Sequence, residues 1–269
     1  MELLLVFSHL IGFLVLAAAS ILDLKYGEVP DTYFLIGILS GLVFHRIYGL
    51  LSQSYDVFVW SLGLGLLFFV YGWLAYLRGI WGGADALALA VLGFTAPTAL
   101  NGSQHILDLV FNLMIVILVY SVLFVFVKSL NSSGFYRRFF DELQSDSKRL
   151  SLELSLAVVF SGLMFLLGVS FVFYLFLLVF MIFLYRFLSL AEEEVFTKTI
   201  PVEDLEGGEV LAEEYSDERI RGVSQNELED LDVENVEVRD GVRLVPVFVL
   251  TLIVTDLGVL GFEVLVYLV

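Results

Sequence analysis

The chain has 269 residues, of which 59% are hydrophobic and 17% charged, with a mean hydropathy of +0.92; ordinary soluble domains carry about 45–50% apolar residues, so the composition excludes a soluble globule and implies an integral membrane protein. There is no cysteine, which excludes disulfides, thiolate nucleophiles and cysteine-based zinc sites and leaves any chemistry to oxygen and imidazole, with no metal or cofactor implied. The formal net charge is −17, yet most acids fall between Glu192 and Asp240, so the acidity belongs to one polar insert, and the sparse, unclustered Lys and Arg argue against a nucleic-acid partner.

About 20 apolar residues are needed to cross a hydrocarbon core of roughly 30 Å. In chain order, the candidates are 3–22, 33–50, 57–77, 84–99, 107–127, 153–168, 170–189 and 245–268. The first lacks a basic leader and is too long for a signal-peptide core, so it reads as a retained span. The apolar run from Ser151 to Ser189 is too long for one crossing, and Gly168-Val169-Ser170 supplies a turn that makes it a hairpin. The expected fold is therefore an all-α polytopic membrane protein of about eight transmembrane helices with a small cytoplasmic β-rich subdomain.

Five parts follow: an N-terminal membrane domain of five spans (1–128), a polar linker (129–152), the hairpin (153–190), an acidic subdomain (191–244) and a C-terminal span (245–269). Within the linker, Tyr136 to Leu143 suits a short interfacial helix, its Phe side chains in lipid and Arg137 and Arg138 at the headgroups. The β-branched alternation Val233-Glu234-Asn235-Val236-Glu237-Val238-Arg239 marks a strand, and Asp240-Gly241 a turn. With eight spans and an outside N-terminus, every Lys and Arg except Arg46 lies on the cytoplasmic side, as the positive-inside rule requires.

Charge buried in a bilayer costs about 2.5–3.5 kcal/mol at a helix centre, so each acid in a span needs a reason. Asp23 closes the first span and Asp85 opens the fourth, both on the cytoplasmic side. The fourth span is short, because Pro97 ends it and its first helical residue is no earlier than about Gly83. Gly82 and Gly83 are expected to admit the backbone by a path closed to other residues and to let another chain approach closely, and Ala84/Ala88 and Ala86/Ala90 to form small-residue faces for tight packing. Two carboxyls sharing a hydrated cavity cannot both ionise cheaply, so one keeps a proton while the other activates water; that is aspartyl peptide hydrolysis. Taken singly, Asp23 also fits a helix-end residue reaching for water, and Asp85 a carboxylate capping its own helix.

The same residues carry a family likeness. Gly82-Gly83-Ala84-Asp85 resembles the GxGD-type motif of intramembrane aspartyl proteases, in the form found in archaeal preflagellin and type IV prepilin peptidases. Asp23-Leu24-Lys25-Tyr26-Gly27-Glu28-Val29-Pro30-Asp31 resembles that family's first-aspartate motif, and Val238-Arg239-Asp240-Gly241-Val242-Arg243-Leu244-Val245-Pro246 resembles its last cytoplasmic strand leading into the final helix. The resemblance implies Asp23 and Asp85 as a catalytic dyad, with Gly82, Gly83, Ala84, Lys25, Glu28, Pro30 and Asp31 as motif or substrate-binding support. It implies as substrates the prepilin and preflagellin precursors, cut on the cytoplasmic side just before their hydrophobic segment. Their leaders are basic, and the acidic insert would attract them within a screening length of about 8 Å; equally, that acidity keeps the insert soluble. Leu87 and Gly27 depart from the family, which often has Lys and Arg there. Bacterial relatives also methylate the new N-terminus and carry a cysteine-bearing insert, so this chain is expected to be a peptidase only.

Asp256 lies mid-way along the last apolar stretch and fits either a functional acid or a protonated carboxyl bonded to a neighbouring helix. His9, His45 and His105 fall toward the outside, away from Asp23 and Asp85. A second reading makes Asp23, Asp85 and Asp256 the proton- or cation-binding acids of a non-enzymatic transporter or scaffold, but the paired repeats or interrupted helices usual in transporters are not evident.

Overall fold

The computed structural model describes residues 2–78, 80–96, 102–166, 170–201, 210–211, 235–239 and 241–258. Its helices are α1 (Glu2–Tyr26), α2 (Asp31–Ser52), α3 (Asp56–Leu77), α4 (Gly83–Thr95), α5 (Gly102–Leu130), α6 (Phe135–Ser145), α7 (Ser147–Leu166), α8 (Phe171–Ala191) and α9 (Val245–Asp256), with strands β1 (Thr197–Pro201), β2 (Val210–Leu211) and β3 (Asn235–Arg239) between the last two. Six helices among the described residues are long and apolar enough to cross a membrane. Among the described residues the other two expected spans are shorter, α4 having 13 residues and α9 12. Helix α4 stops at Thr95, two residues before Pro97, whose ring disfavours helical geometry in the residue preceding it.

The chain divides into two compact units, one formed by the residues up to Ser121 with the segment beginning at Val242, the other by Val122 onward with the strands. In the second, the interfacial helix expected at 136–143 is α6, anchored by the fully buried Phe135 against Phe187. The polar linker is shorter than expected, because α7 begins at Ser147 and carries Lys148 and Arg149 in its first turn. Helices α7 and α8 pack together, residues 167–169 of the expected turn lying outside the described residues, and Arg186 of α8 joins Glu153 and Asp146 at 3.0 and 3.1 Å. This satisfies a cation that would be costly to bury alone. The sheet is antiparallel in the order β1-β3-β2, with Ile200 opposite Val236 and Lys198 opposite Val238. Alternation along β3 buries Val236 and Val238. Residues 202–209, 212–234 and Asp240 of the acidic insert lie outside the described residues.

The first unit is built around α4. Its outer helices turn leucines outward, as at Leu3, Leu10 and Leu14 of α1 and Leu35 and Leu39 of α2, while Ser8, Ser20, Ser40, His45 and Ser61 are buried. That distribution is inverted relative to a soluble protein and fits a lipid surround, where burying Leu between helices offers little gain and small residues allow close approach. Helix α4 is buried continuously from Ala88 to Thr95. Glycines make room for it on α1, α2 and α3: a Cβ on Gly72 of α3 would lie 2.8 Å from the Ala86 Cα, one on Gly37 of α2 2.7 Å from Val91, and one on Gly12 of α1 would overlap the Thr95 side chain. The Ser61 hydroxyl donates to the Phe94 carbonyl at 2.6 Å, tying α3 to the far end of α4.

Substituting Gly72→Val therefore forces α3 away from Ala86. We expect a loss of about 1–3 kcal/mol, the usual cost of overpacking, measured by unfolding in detergent. Gly63→Ala on the same helix, where a Cβ meets nothing within 4 Å, should leave stability unchanged or slightly raised.

Candidate active site

In α1 the buried positions Leu16, Ala19, Ser20 and Asp23 recur at the three- and four-residue spacing of one helix face, which carries Asp23 inward at the last turn. Asp85 sits in the first turn of α4 and is buried with Ala86 and Ala88. The two helices run antiparallel with Gly12 against Thr95. From that contact Asp23 is eleven residues along α1 and Asp85 ten residues back along α4, so at 1.5 Å per residue both lie about 15–16 Å away on the same side. The carboxyls are 6% and 8% exposed and within electrostatic reach of one another.

Each acid is held by backbone as well as by helix packing. The Gly82 N–H donates to Asp85 Oδ2 at 3.0 Å, so Asp85 also makes the local capping contact that its position allows, closing the start of its own helix. The start of α9 lies beside both acids, the Leu244 N–H toward Asp85 and the Val245 N–H toward Asp23. Asp23 Oδ2 is buried without a hydrogen-bond partner among the described residues. Arg243 Nη1 donates to the carbonyls of Asp23 and Leu24 at 2.7 and 2.6 Å. The Tyr120 phenol on α5 lies within electrostatic reach of Asp23, Asp85 and Arg243.

The glycines act differently from the expectation. Gly82 has φ −71° and ψ 160°, an ordinary extended conformation, so no path closed to other residues is used. What favours glycine there is space, because a Cβ would stand 3.3 Å from Asp85 Oδ2. The left-handed residue of the site is Gly27, at φ +77°, which ends α1 with its N–H on the Asp23 carbonyl at 2.9 Å and lies under the Arg243 guanidinium. Lys25 in the last turn of α1, Glu28 and Pro30 in the loop that follows and Asp31 at the start of α2 are all exposed, with Lys25 over the Tyr26 ring; among the described residues no hydrogen bond or ion pair joins them to the two carboxyls. Ala84 and Leu87 pack against the core.

Asp256 does not lie mid-helix; it ends α9, where its Oδ2 meets His9 Nε2 of α1 at 2.8 Å. Its bond to a neighbouring helix is the bland alternative allowed by the sequence. His45 is fully buried in α2. The side chain of His105, like Pro97, lies outside what the structure describes. Among the described residues no group of three His, Asp or Glu is placed to hold a metal ion. Sequence reasoning missed Tyr120 altogether, since one tyrosine in a 29-residue apolar helix carries no signal. Arg243 was noticed only as part of a motif.

Residues 10–129 match the type IV leader peptidase family. The match covers fewer than half of the chain's residues, but it contains both Asp23 and Asp85 and leaves Arg243 outside. The matched segment is thus similar to leader peptidases, and the long apolar helices around it fit a multi-pass membrane protein. No curated protein and no solved structure matches the chain.

Gly27→Ala should cost about 1–2 kcal/mol, the penalty of an L-residue in the left-handed region, visible as a lowered melting temperature in detergent. An unchanged melting temperature would mean that the α1 terminus is free to adopt another turn.

Proposed function

From the match of residues 10–129 to the type IV leader peptidase family we infer that this chain is a membrane-embedded aspartyl endopeptidase, which removes the leader of type IV prepilin-like and archaeal preflagellin precursors at the cytoplasmic membrane face. The observation that carries the reading is the meeting of Asp23 and Asp85, two buried carboxyls from different helices on one side of the matched segment. The N-terminus is then outside, and Lys25 and Arg78 lie with the site on the inside, as the positive-inside rule favours.

In this mechanism the dyad shares one proton, since two carboxylates cannot both ionise cheaply in a buried site. The ionised acid takes a proton from water as the oxygen adds to the scissile carbonyl, and the protonated acid gives its proton to the carbonyl oxygen. The tetrahedral diol then collapses: the C–N bond breaks, the leaving amine takes the proton gained from water, and the diol returns the other. Asp23 Oδ2, buried and unpartnered, is an acceptor such a water would satisfy. Gly82, by leaving space beside Asp85 Oδ2, keeps that acid approachable. A transporter using the same acids would not account for the peptidase-family match.

Cleavage of a leader-bearing pilin by the purified chain in detergent tests this. Asp23→Asn and Asp85→Asn, each near-isosteric, should abolish cleavage without lowering the melting temperature by more than a few degrees. Asp256→Asn, on the far side, should only weaken it. Cleavage retained by either of the first two would exclude the dyad.

A further inference from the structure

The two acids come from helices joined early in the chain, but residues 243–245, which approach them, come more than 150 residues after the later of the two. Helix α1 ends with carbonyls that lack intrahelical partners. Arg243 bridges two carbonyls of this last turn, that of Leu24 and that of Asp23, which also accepts the Gly27 N–H at 2.9 Å, placing a cation where the helix dipole favours one. The next two residues are Leu244 and Val245, whose N–H groups face Asp85 and Asp23. Pro246 has no N–H, and the Val247 N–H is taken by the Leu244 carbonyl at 2.9 Å, so the donors at this end of α9 are the two turned toward the acids. Close under the guanidinium lies Gly27, where a Cβ would be 3.3 Å from it.

We propose that Arg243 is a positioning residue for the dyad, a tether that fixes the start of α9 to the end of α1 and thereby holds two backbone donors against the two carboxyls. This rests on the peptidase reading for its consequence in catalysis, though not for the tether itself. Arg243 touches no reacting atom. It acts by register: a planar guanidinium whose Nη1 holds two carbonyl oxygens leaves the following dipeptide little freedom to slide, whereas a lysine at the same place is a single point charge on a flexible stem.

Two measurements on the full chain decide it. With a pilin precursor as substrate, Arg243→Ala should lower kcat at least about tenfold, since misplacement by an ångström costs up to about a hundredfold, with KM changed less than twofold. Arg243→Lys should recover part of kcat, and added guanidinium ion should partly restore the Ala variant, which a general folding defect would not allow. A kcat within twofold of the parent, or a loss without rescue that tracks loss of folded protein, overturns the proposal. Because the chain has no cysteine, spin labels at Leu24→Cys and Val242→Cys report the tether independently of activity. Their distance distribution should be narrow with Arg243 and broad with Ala; equal widths overturn the proposal. If the parent cuts no leader, the peptidase reading fails alone, and the label distances still judge the tether. Should the Ala variant not fold, Arg243→Lys carries the same comparison, with a smaller broadening expected and an unchanged width again overturning it.

Discussion

The first unit depends on one constraint, the enclosure of a short helix by three longer ones. Helix α4 has 13 residues, too few to span a bilayer core at 1.5 Å per residue, so its ends cannot both reach the lipid surface. It is stable because α1, α2 and α3 each bring a glycine against it, trading side-chain volume for backbone contact where lipid removes the usual advantage of burying leucine. The shortness matters chemically. It sets the first turn of α4, and Asp85 within it, below the ends of its neighbours, and the antiparallel register with α1 then brings Asp23 to the same level.

A carboxyl buried in this way needs donors, and the molecule supplies them from backbone. Gly82 serves Asp85 from within its own helix, and the start of α9 serves both acids from the other end of the chain. Backbone donors are fixed by helix geometry and carry no charge to neutralise the acids outright. The charged group near them, Arg243, spends its hydrogen bonds on carbonyls of α1. Proximity of a cation without a direct ion pair is a different arrangement from Arg186 in the second unit, whose guanidinium is saturated by Glu153 and Asp146 and whose role is to hold a hairpin together.

Much of the architecture was legible in the sequence because hydrophobic length is a local property. Helices α1, α2 and α3 fall within a few residues of the spans read from the apolar runs, α6 matches the amphipathic stretch around Tyr136, and β3 matches the β-branched alternation. The errors were equally local. The polar residues at 147–152 read as linker although a helix continues through them once its next turns are anchored, and Gly82 read as a conformational device although its role is steric. Asp256 read as mid-span, whereas the described helix ends there on His9.

What the sequence determined by itself was the membrane class, the number of apolar segments and the two acids that needed a reason to be there, since each follows from composition along a short stretch. That Asp23 and Asp85 come within electrostatic reach of one another, with Tyr120 near them and residues 243–245 beside them, was decided by tertiary structure alone. Those relations join positions up to 222 residues apart, as Asp23 and Val245 show. They arise from helix register and close glycine packing, which no local pattern of hydropathy encodes.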